Sequence, residues 1–226
     1  MENFVIAIDG GAATGKSTVA QLVAQKLNFK HINTGAIYRC ITMLALEKKF
    51  DLNCDIAKIV ELAQNIKINF TIENNLPQVY LYDHNVTAKL RNQEISLGAS
   101  QIARHEKVRH EVLELQRDYA RFNNIVMEGR DIGSVIFPNA NLKIFFTASI
   151  DVRAQRRFLE YQVTNNNISL QDIKKEIILR DKQDTQRDIS PLRKTDDAVK
   201  IDNTNMTKED VVKEIVKLAR EKMNYK

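Results

Sequence analysis

The chain alternates short β-rich apolar runs with stretches of helical periodicity. The runs occupy residues 4–9, 31–32, 125–128, 142–147 and 198–202, and most lack a period of two, as expected for strands covered on both faces of a parallel sheet. After the first run, Val19, Val23 and Leu27 recur at i, i+4 and i+8 beside Ala20 and Ala24. That stripe predicts a helix packed on the sheet, and with the strand before it makes one β-loop-α unit. The last segment reads the same way. Thr207 stands in N-cap position, Glu209 and Asp210 fall in the first turn, and Val211, Ile215 and Leu218 share a face, predicting a docked C-terminal helix.

The middle follows another rhythm. Ile66, Ile68, Phe70 and Ile72 alternate with polar residues, a turn follows at 73–75, and residues 79–82 and 86–87 continue the pattern; this predicts a small antiparallel meander. In residues 92–122, Val108, Val112, Leu115, Tyr119 and Phe122 are spaced 4, 3, 4 and 3, which predicts one long helix. Residues 60–105 therefore read as a substructure inserted in a parallel α/β core. A polar stretch at 165–167 predicts a turn, and no repeat or low-complexity tract is visible.

A length of 226 residues suits one large α/β domain carrying an insertion. With 43% hydrophobic and 28% charged residues a real core can form. The longest purely apolar run, residues 4–8, is too short for a membrane span or a signal peptide, so we expect neither secretion nor membrane insertion. Two cysteines, Cys40 and Cys54, form no metal-ligand spacing with the four histidines and no disulfide framework, which fits a reduced, cytoplasmic compartment. The net charge of +5 is mild, and between residues 151 and 197 ten Lys/Arg interleave with nine Asp/Glu. A nucleic-acid track concentrates its cations, so the charge fits a small phosphorylated ligand better than a polyanion.

Candidate chemistry begins after the first strand. Gly10, Gly11, Ala12, Ala13, Thr14, Gly15, Lys16 and Ser17 fit G-x-x-x-x-G-K-[ST], and Thr18 continues into the predicted helix. In that context the glycines let successive N–H groups converge on phosphate oxygens at a helix N-terminus. Lys16 would reach the β- and γ-phosphates of a nucleoside triphosphate, and Ser17 would give a hydroxyl to Mg²⁺. A GTPase-like switch would also carry D-x-x-G and [NT]-K-x-D. Residues 207–210 match the second literally, but five residues after the last strand and as an ordinary helix start. In Asp131-Ile132-Gly133-Ser134 the glycine comes one position early for the first. The switch reading loses on both counts.

A kinase acting on a phosphorylated acceptor must hold two repelling anions, which calls for arginines from several segments. Thr34, Gly35 and Arg39 follow the second strand, at the carboxyl end where ligands sit in open parallel sheets; a plain strand-helix junction would look similar. Glu128 ends the strand before Gly129-Arg130-Asp131-Ile132-Gly133 and could hold Mg²⁺ through water. Leu170, Ile173, Ile177, Arg180, Asp184 and Arg187 follow 3, 4, 3, 4, 3 spacing, so an apolar helix face turns ionic halfway along. Either the helix leaves the protein there or its second half lines an anionic site. Arg153, Arg156 and Arg157 form a second cluster, in which Arg153 and Arg157 at i, i+4 repel unless an anion lies between them. Residues 153–188 read as two helices forming a lid. No Ser-His-Asp, Cys-His or zinc arrangement occurs, and an ionised acceptor phosphate needs no general base.

Together these residues resemble the bacterial cytidylate (CMP) kinase family along essentially the whole chain. The shared landmarks are residues 8–10 with the phosphate loop, 34–39, 91–94, 99–101, 108–109, 129–133, 135–138, the stretch from Arg180 through Asp184 to Arg187, and 197–198. The resemblance implies transfer of the ATP γ-phosphoryl group to CMP or dCMP with Mg²⁺. It also implies that Ser100, Arg109 and Asp131 read cytosine, that Arg39, Arg130 and Arg187 hold the acceptor phosphate, and that Thr34, Arg180 and Asp184 contact the sugar and its surroundings. Lys16, Arg130, Arg180 and Arg187 would be catalytic, and Arg153 and Arg157 would meet ATP from the lid. Cytosine offers an amino donor to a carboxylate or hydroxyl, whereas uracil would leave that acceptor unpaired.

Three positions depart from the family pattern. Gly11 stands where proline is common and should make the loop entrance floppier; Asn33 and Glu128 stand where aspartates are common. The expectation is a three-layer α/β P-loop kinase with five parallel strands in the order 2-3-1-4-5, a nucleotide-monophosphate-binding insert at 60–105 and a lid at 150–190. It would be a cytoplasmic monomer with no nucleic-acid partner. The alternatives are another small-molecule P-loop kinase, such as one acting on UMP, and a nucleotide-dependent nucleic-acid-binding protein.

Overall fold

The computed structural model describes residues 3–74, 76–163 and 168–224. In chain order the elements are β1 (Val5–Gly10), α1 (Lys16–Leu27), β2 (Lys30–Asn33), α2 (Thr34–Glu47), α3 (Ile56–Asn65), β3 (Ile68–Glu73), β4 (Leu76–Leu81), β5 (His84–Asn85), α4 (Gln93–Ile102), α5 (Glu106–Asp118), β6 (Ile125–Gly129), β7 (Leu142–Thr147), α6 (Ile150–Val163), α7 (Leu170–Gln186), β8 (Val199–Asp202) and α8 (Lys208–Asn224). A 3₁₀ turn at Lys89–Arg91 and a π-helical turn at Ile132–Ile136 complete them.

The main sheet has five strands in the order β2-β6-β1-β7-β8, with β1 parallel to β6 and β7, and β7 parallel to β8. These labels differ from the expected 2-3-1-4-5 because β3, β4 and β5 form a separate sheet earlier in the chain. Counted among the five main-sheet strands alone, the order is the same.

The chain divides into two compact units, residues 1–30 with 123–226, and residues 31–122. In the first, Ile6 and Ile8 of β1 share a core with Val19, Ala20, Val23 and Ala24 of α1, Ile144 and Phe146 of β7, and Val211 and Ile215 of α8. Val5, Ala7 and Asp9 point to the opposite face by the two-residue period of a strand, and they are buried as well. That is why β1 reads as a continuous run. Truncating Ile6 or Ile8 to alanine would cost about 2–5 kcal/mol. Thr207 caps α8 as expected, its Oγ1 accepting from the Asp210 N–H at 3.2 Å. Helices α6 and α7 pair through Ala154, Tyr161, Ile173 and Ile177, with Ala12 in the same cluster. The turn expected at 165–167 lies outside the described residues.

In the second unit α4 packs against α2, and a Cβ at Gly98 would lie 2.6 Å from Thr42 Cγ2, so the glycine permits this approach. The small sheet, ordered β3-β4-β5, is antiparallel. The alternation holds at Ile68 and Phe70, which are buried, and fails at Ile72, which is 44% exposed. Of the predicted turn at 73–75, Asn74 takes a left-handed φ of 51°, and Asn75 lies outside the described residues. Tyr82 sits in the next turn (φ 53°) instead of a strand, and Val86 follows β5, donating its N–H to Val79 O.

The single helix expected over 92–122 is instead two, α4 and α5. The apolar stripe begins at Val108, so nothing in it required continuity through 103–105, where the chain turns and His105 becomes the N-cap of α5. Val108 and Val112 are buried as predicted. Tyr119 follows the end of α5, donating its hydroxyl to Ile68 O at 2.8 Å with its ring edge-on to Phe70. Phe122, past the helix, is 87% exposed and leaves the stripe.

Candidate active site

The phosphate-loop motif fills the bend from β1 to α1. Gly10 has φ 153°, and a Cβ there would meet Phe146 O at 2.5 Å; only glycine fits. Gly15 (φ 84°) stands at the N-cap of α1 without a side-chain cap, and Ala13 is also left-handed at φ 55°. Such bends turn successive N–H groups inward to make an anion nest at a helix N-terminus, at a cost of about 1–2 kcal/mol for the alanine. Lys16 is buried, its Nζ donating to Gly11 O at 2.6 Å and Thr14 Oγ1 at 3.2 Å. Burial, and next the charge of Arg130, hold its pKa well below the usual lysine value. The negative charge of an arriving phosphate would offset both. Ser17 and Thr18 lie exposed on the first turn of α1.

Helices α6 and α7 grip this loop. Arg153 Nη1 donates to Ala12 O at 3.1 Å and also bonds Asp181 Oδ2, while Asp181 Oδ1 accepts from the Ala12 N–H at 3.0 Å. A Cβ on Gly11 would come within 2.9 Å of both Arg153 Nη1 and Asp181 Oδ1. The glycine expected to loosen the loop thus makes room for an ion pair against it. Arg156 Nη1 donates to Thr14 O at 3.3 Å and Asn203 Oδ1 at 3.1 Å, and Asn203 Nδ2 donates to Thr14 O at 2.8 Å. Arg157, expected to meet the donor nucleotide, turns along its own helix to Glu160 and Tyr161. Arg153 and Arg156 are the ones that reach the loop, and the anion that offsets Arg153 is Asp181.

A second cluster of the same unit lies at the end of β6 and along α7. Glu128 and Asp131 are buried. Arg130 Nε donates to Asp184 Oδ2 at 2.6 Å. Burial alone would disfavour the Arg130 charge, and Asp184 reverses that. Burial likewise pushes Asp184 up, but Arg130, then Arg180 and Arg187, outweigh it and hold the carboxyl below its ordinary value. Arg187 donates through Nε and Nη2 to Ser190 O, with Nη2 3.7 Å from Asp131 Oδ1. The ionic half of the predicted stripe therefore faces inward, and Arg187 caps the helix.

In the second unit, Thr34 opens α2 and is buried. Asn33 caps that helix, its Oδ1 accepting from the Ala36 N–H at 3.1 Å, a task asparagine and aspartate perform equally well. Arg39, on the next turn, is half-buried. Arg109 lies 5.9 Å from the Tyr38 ring centroid and donates to Ala103 O at 3.1 Å. Ser100 Oγ is 3.4 Å from Ser96 O in its own helix.

Asp9, Asp181 and Asn203 were given no role by the sequence, and Arg156 was read only as a member of the lid's arginine cluster. For Asp9 a signal existed, a carboxylate inside an otherwise apolar strand; for Asn203 there was none. Among the described residues no group of three or more His, Cys, Asp and Glu is disposed to hold a metal. The exposed Ser17 hydroxyl and the Glu128 carboxylate suit an Mg²⁺ carried mainly by phosphate oxygens.

A parallel sheet with this loop after its first strand defines a P-loop α/β protein. A gluconokinase structure from Sinorhizobium meliloti 1021, 12% identical, shares the fold at a TM-score of 0.51, covering 98% of this chain and 95% of that one. The profile of the cytidylate kinase family matches residues 6–221, and the chain belongs to that family. A cytidylate kinase of Thermotoga sp. (strain RQ2) is 44% identical over 221 residues, 98% of this chain and 99% of that protein. One of Bacillus cereus (strain ATCC 10987 / NRS 248) is 43% identical over 213 residues, 94% of each chain.

Proposed function

We infer that the protein is a nucleoside monophosphate kinase that transfers the γ-phosphoryl group of ATP to CMP and dCMP, giving CDP and dCDP. Family membership over residues 6–221 carries this reading, and the phosphate loop with its buried Lys16 supports it. The acceptor phosphate is ionised at neutral pH, so alignment and neutralisation of charge carry the rate. Residues 10–18 cradle the donor phosphates, Lys16 follows the migrating charge, and Arg153 and Arg157 act on the donor side from the lid, together with Arg156. Arg39, Arg130 and Arg187 hold the acceptor phosphate, and Arg180 and Asp184 order the sugar side with Thr34. Ser100, Arg109 and Asp131 select cytosine. Mg²⁺, held by ATP, Ser17 and, through water, Glu128, would supply charge neutralisation at the phosphates. The insert at 60–105 binds the monophosphate, and α6 with α7 forms the lid. We place the enzyme in the cytoplasm as a monomer.

A coupled ADP-release assay with CMP, dCMP, UMP and AMP tests the activity, and preferred turnover of UMP or AMP would overturn it. Asp131→Ala tests base selection: the preference for CMP over UMP should fall by about tenfold or more, the worth of a missed hydrogen bond, while the KM for ATP holds.

A further inference from the structure

The carboxylate of Asp9 binds two consecutive N–H groups of the turn that follows β6. Oδ1 accepts from Ile132 and Oδ2 from Gly133, both at 2.8 Å. Asp9 is buried, on the strand that leads directly into the phosphate loop. Its two bonds fall on the opening of the π-helical turn Ile132–Ile136, where backbone N–H groups lack partners within the turn. The residue in N-cap position there is Asp131, with φ −142° and ψ 25°, yet its side chain makes no capping bond. Aspartate is among the strongest N-caps, and from that position its carboxylate would ordinarily fold onto the two or three N–H groups ahead. Asp9 already holds the first two of them, those of Ile132 and Gly133.

We propose that Asp9 is a positioning residue for acceptor recognition: by capping the 132–136 turn from the neighbouring strand, it keeps the Asp131 carboxylate off its own backbone and turned toward Arg187 and the base. The inference rests on the cytosine-reading role of Asp131 given above. Space at the turn agrees with it, since a Cβ on Gly133 would meet the Lys143 side chain at 3.1 Å and lie 3.5 Å from Asp9 Oδ2. The turn is thus packed against Lys143 on the side that faces Asp9.

Asp9→Asn keeps the size but offers one acceptor oxygen and sets an NH₂ against the second N–H. Asp131 then becomes the nearest replacement cap. The expected result is a fall of about tenfold in the CMP/UMP ratio of kcat/KM, expressed in the KM for CMP, with the KM for ATP within about twofold although residue 9 adjoins the phosphate loop. In Asp9→Asn/Asp131→Ala the ratio should fall no further than in Asp131→Ala alone. Equal losses toward CMP and UMP, or an ATP KM that rises as much as that for CMP, would mark Asp9 as merely structural and overturn the proposal. If Asp131→Ala collapses the ratio and Asp9→Asn does not, positioning alone is wrong; if Asp131→Ala leaves the ratio intact, the base-reading role fails and takes this inference with it. Should Asp9→Asn not fold, amide hydrogen exchange in the native chain decides. Ile132 and Gly133 should be protected before CMP is added, and protection arising only with CMP would show that the nucleotide, not Asp9, orders the turn.

Discussion

Arg130 Nε donates to Asp184 Oδ2 at 2.6 Å, joining the end of β6 to the second half of α7 through side chains only 19% and 13% exposed. Lys16 and Arg180 act on the same neighbourhood, so the aspartate offsets several cations at once. Asp184→Ala should therefore cost about 3 kcal/mol, the penalty for leaving a buried charge without its partner, and should raise the KM for the monophosphate. Urea unfolding and steady-state kinetics measure the two effects. Because the carboxyl titrates below its usual value, its contribution to stability is present above that value and is lost as the pH falls through the lower one.

Lys16→Met should separate stability from rate. The native ammonium is disfavoured by burial and by Arg130, so its removal should leave the melting temperature unchanged or higher. Turnover should fall by at least about 100-fold, since charge on the migrating group goes unanswered. Near-normal ADP release would remove Lys16 from the chemistry.

Two small residues of the phosphate loop should respond in opposite ways. Gly10→Ala puts a Cβ 2.5 Å from Phe146 O, a backbone atom that cannot step aside, and should destabilise by several kcal/mol. Ala13→Gly removes a left-handed alanine and should be neutral or stabilising by up to about 1 kcal/mol. Thermal melts of both variants make the comparison.

Asp9 gives stability a pH dependence of its own. Burial raises its pKa from 3.8 to about 6, against the lowering by the Gly133 and Ile132 N–H groups; Asp131 raises it further and Lys16 lowers it. A folded-state pKa above the unfolded one means that the contribution is fully present below pH 3.8 and is lost as the pH rises through 6. Relative to Asp9→Asn, the native chain should thus gain about 2–3 kcal/mol between pH 7.5 and pH 4. Denaturant titrations of the pair across that range would reject the assignment if the difference stayed flat.

The main sheet and the phosphate loop were legible because their signals are local: apolar runs of strand length, glycines at fixed spacing, and Val19 and Val23 at helical period. The break between α4 and α5 was hidden because a stripe starting at Val108 says nothing about residues upstream. The inward turn of Arg180, Asp184 and Arg187 was one of two readings the stripe allowed, since an apolar face that becomes ionic fits either a lined site or a helix leaving the protein, and periodicity alone does not choose between them. Which lid arginine meets the loop could not be read. Arg156 and Arg157 are neighbours in sequence; Arg157 finds Glu160 and Tyr161 close by along α6, whereas the Asn203 that holds Arg156 beside Thr14 O comes from a segment 47 residues on, which no local pattern announces.

The grip on Ala12 has a thermodynamic side. Asp181 lends the nest an anion from within the chain, and Arg153 pairs with it, so one of the loop's N–H donors is already satisfied by a side chain. A phosphate oxygen that took that same N–H would displace a carboxylate, and the displaced pair belongs to α6 and α7, so the donor end of the site and these helices share one contact.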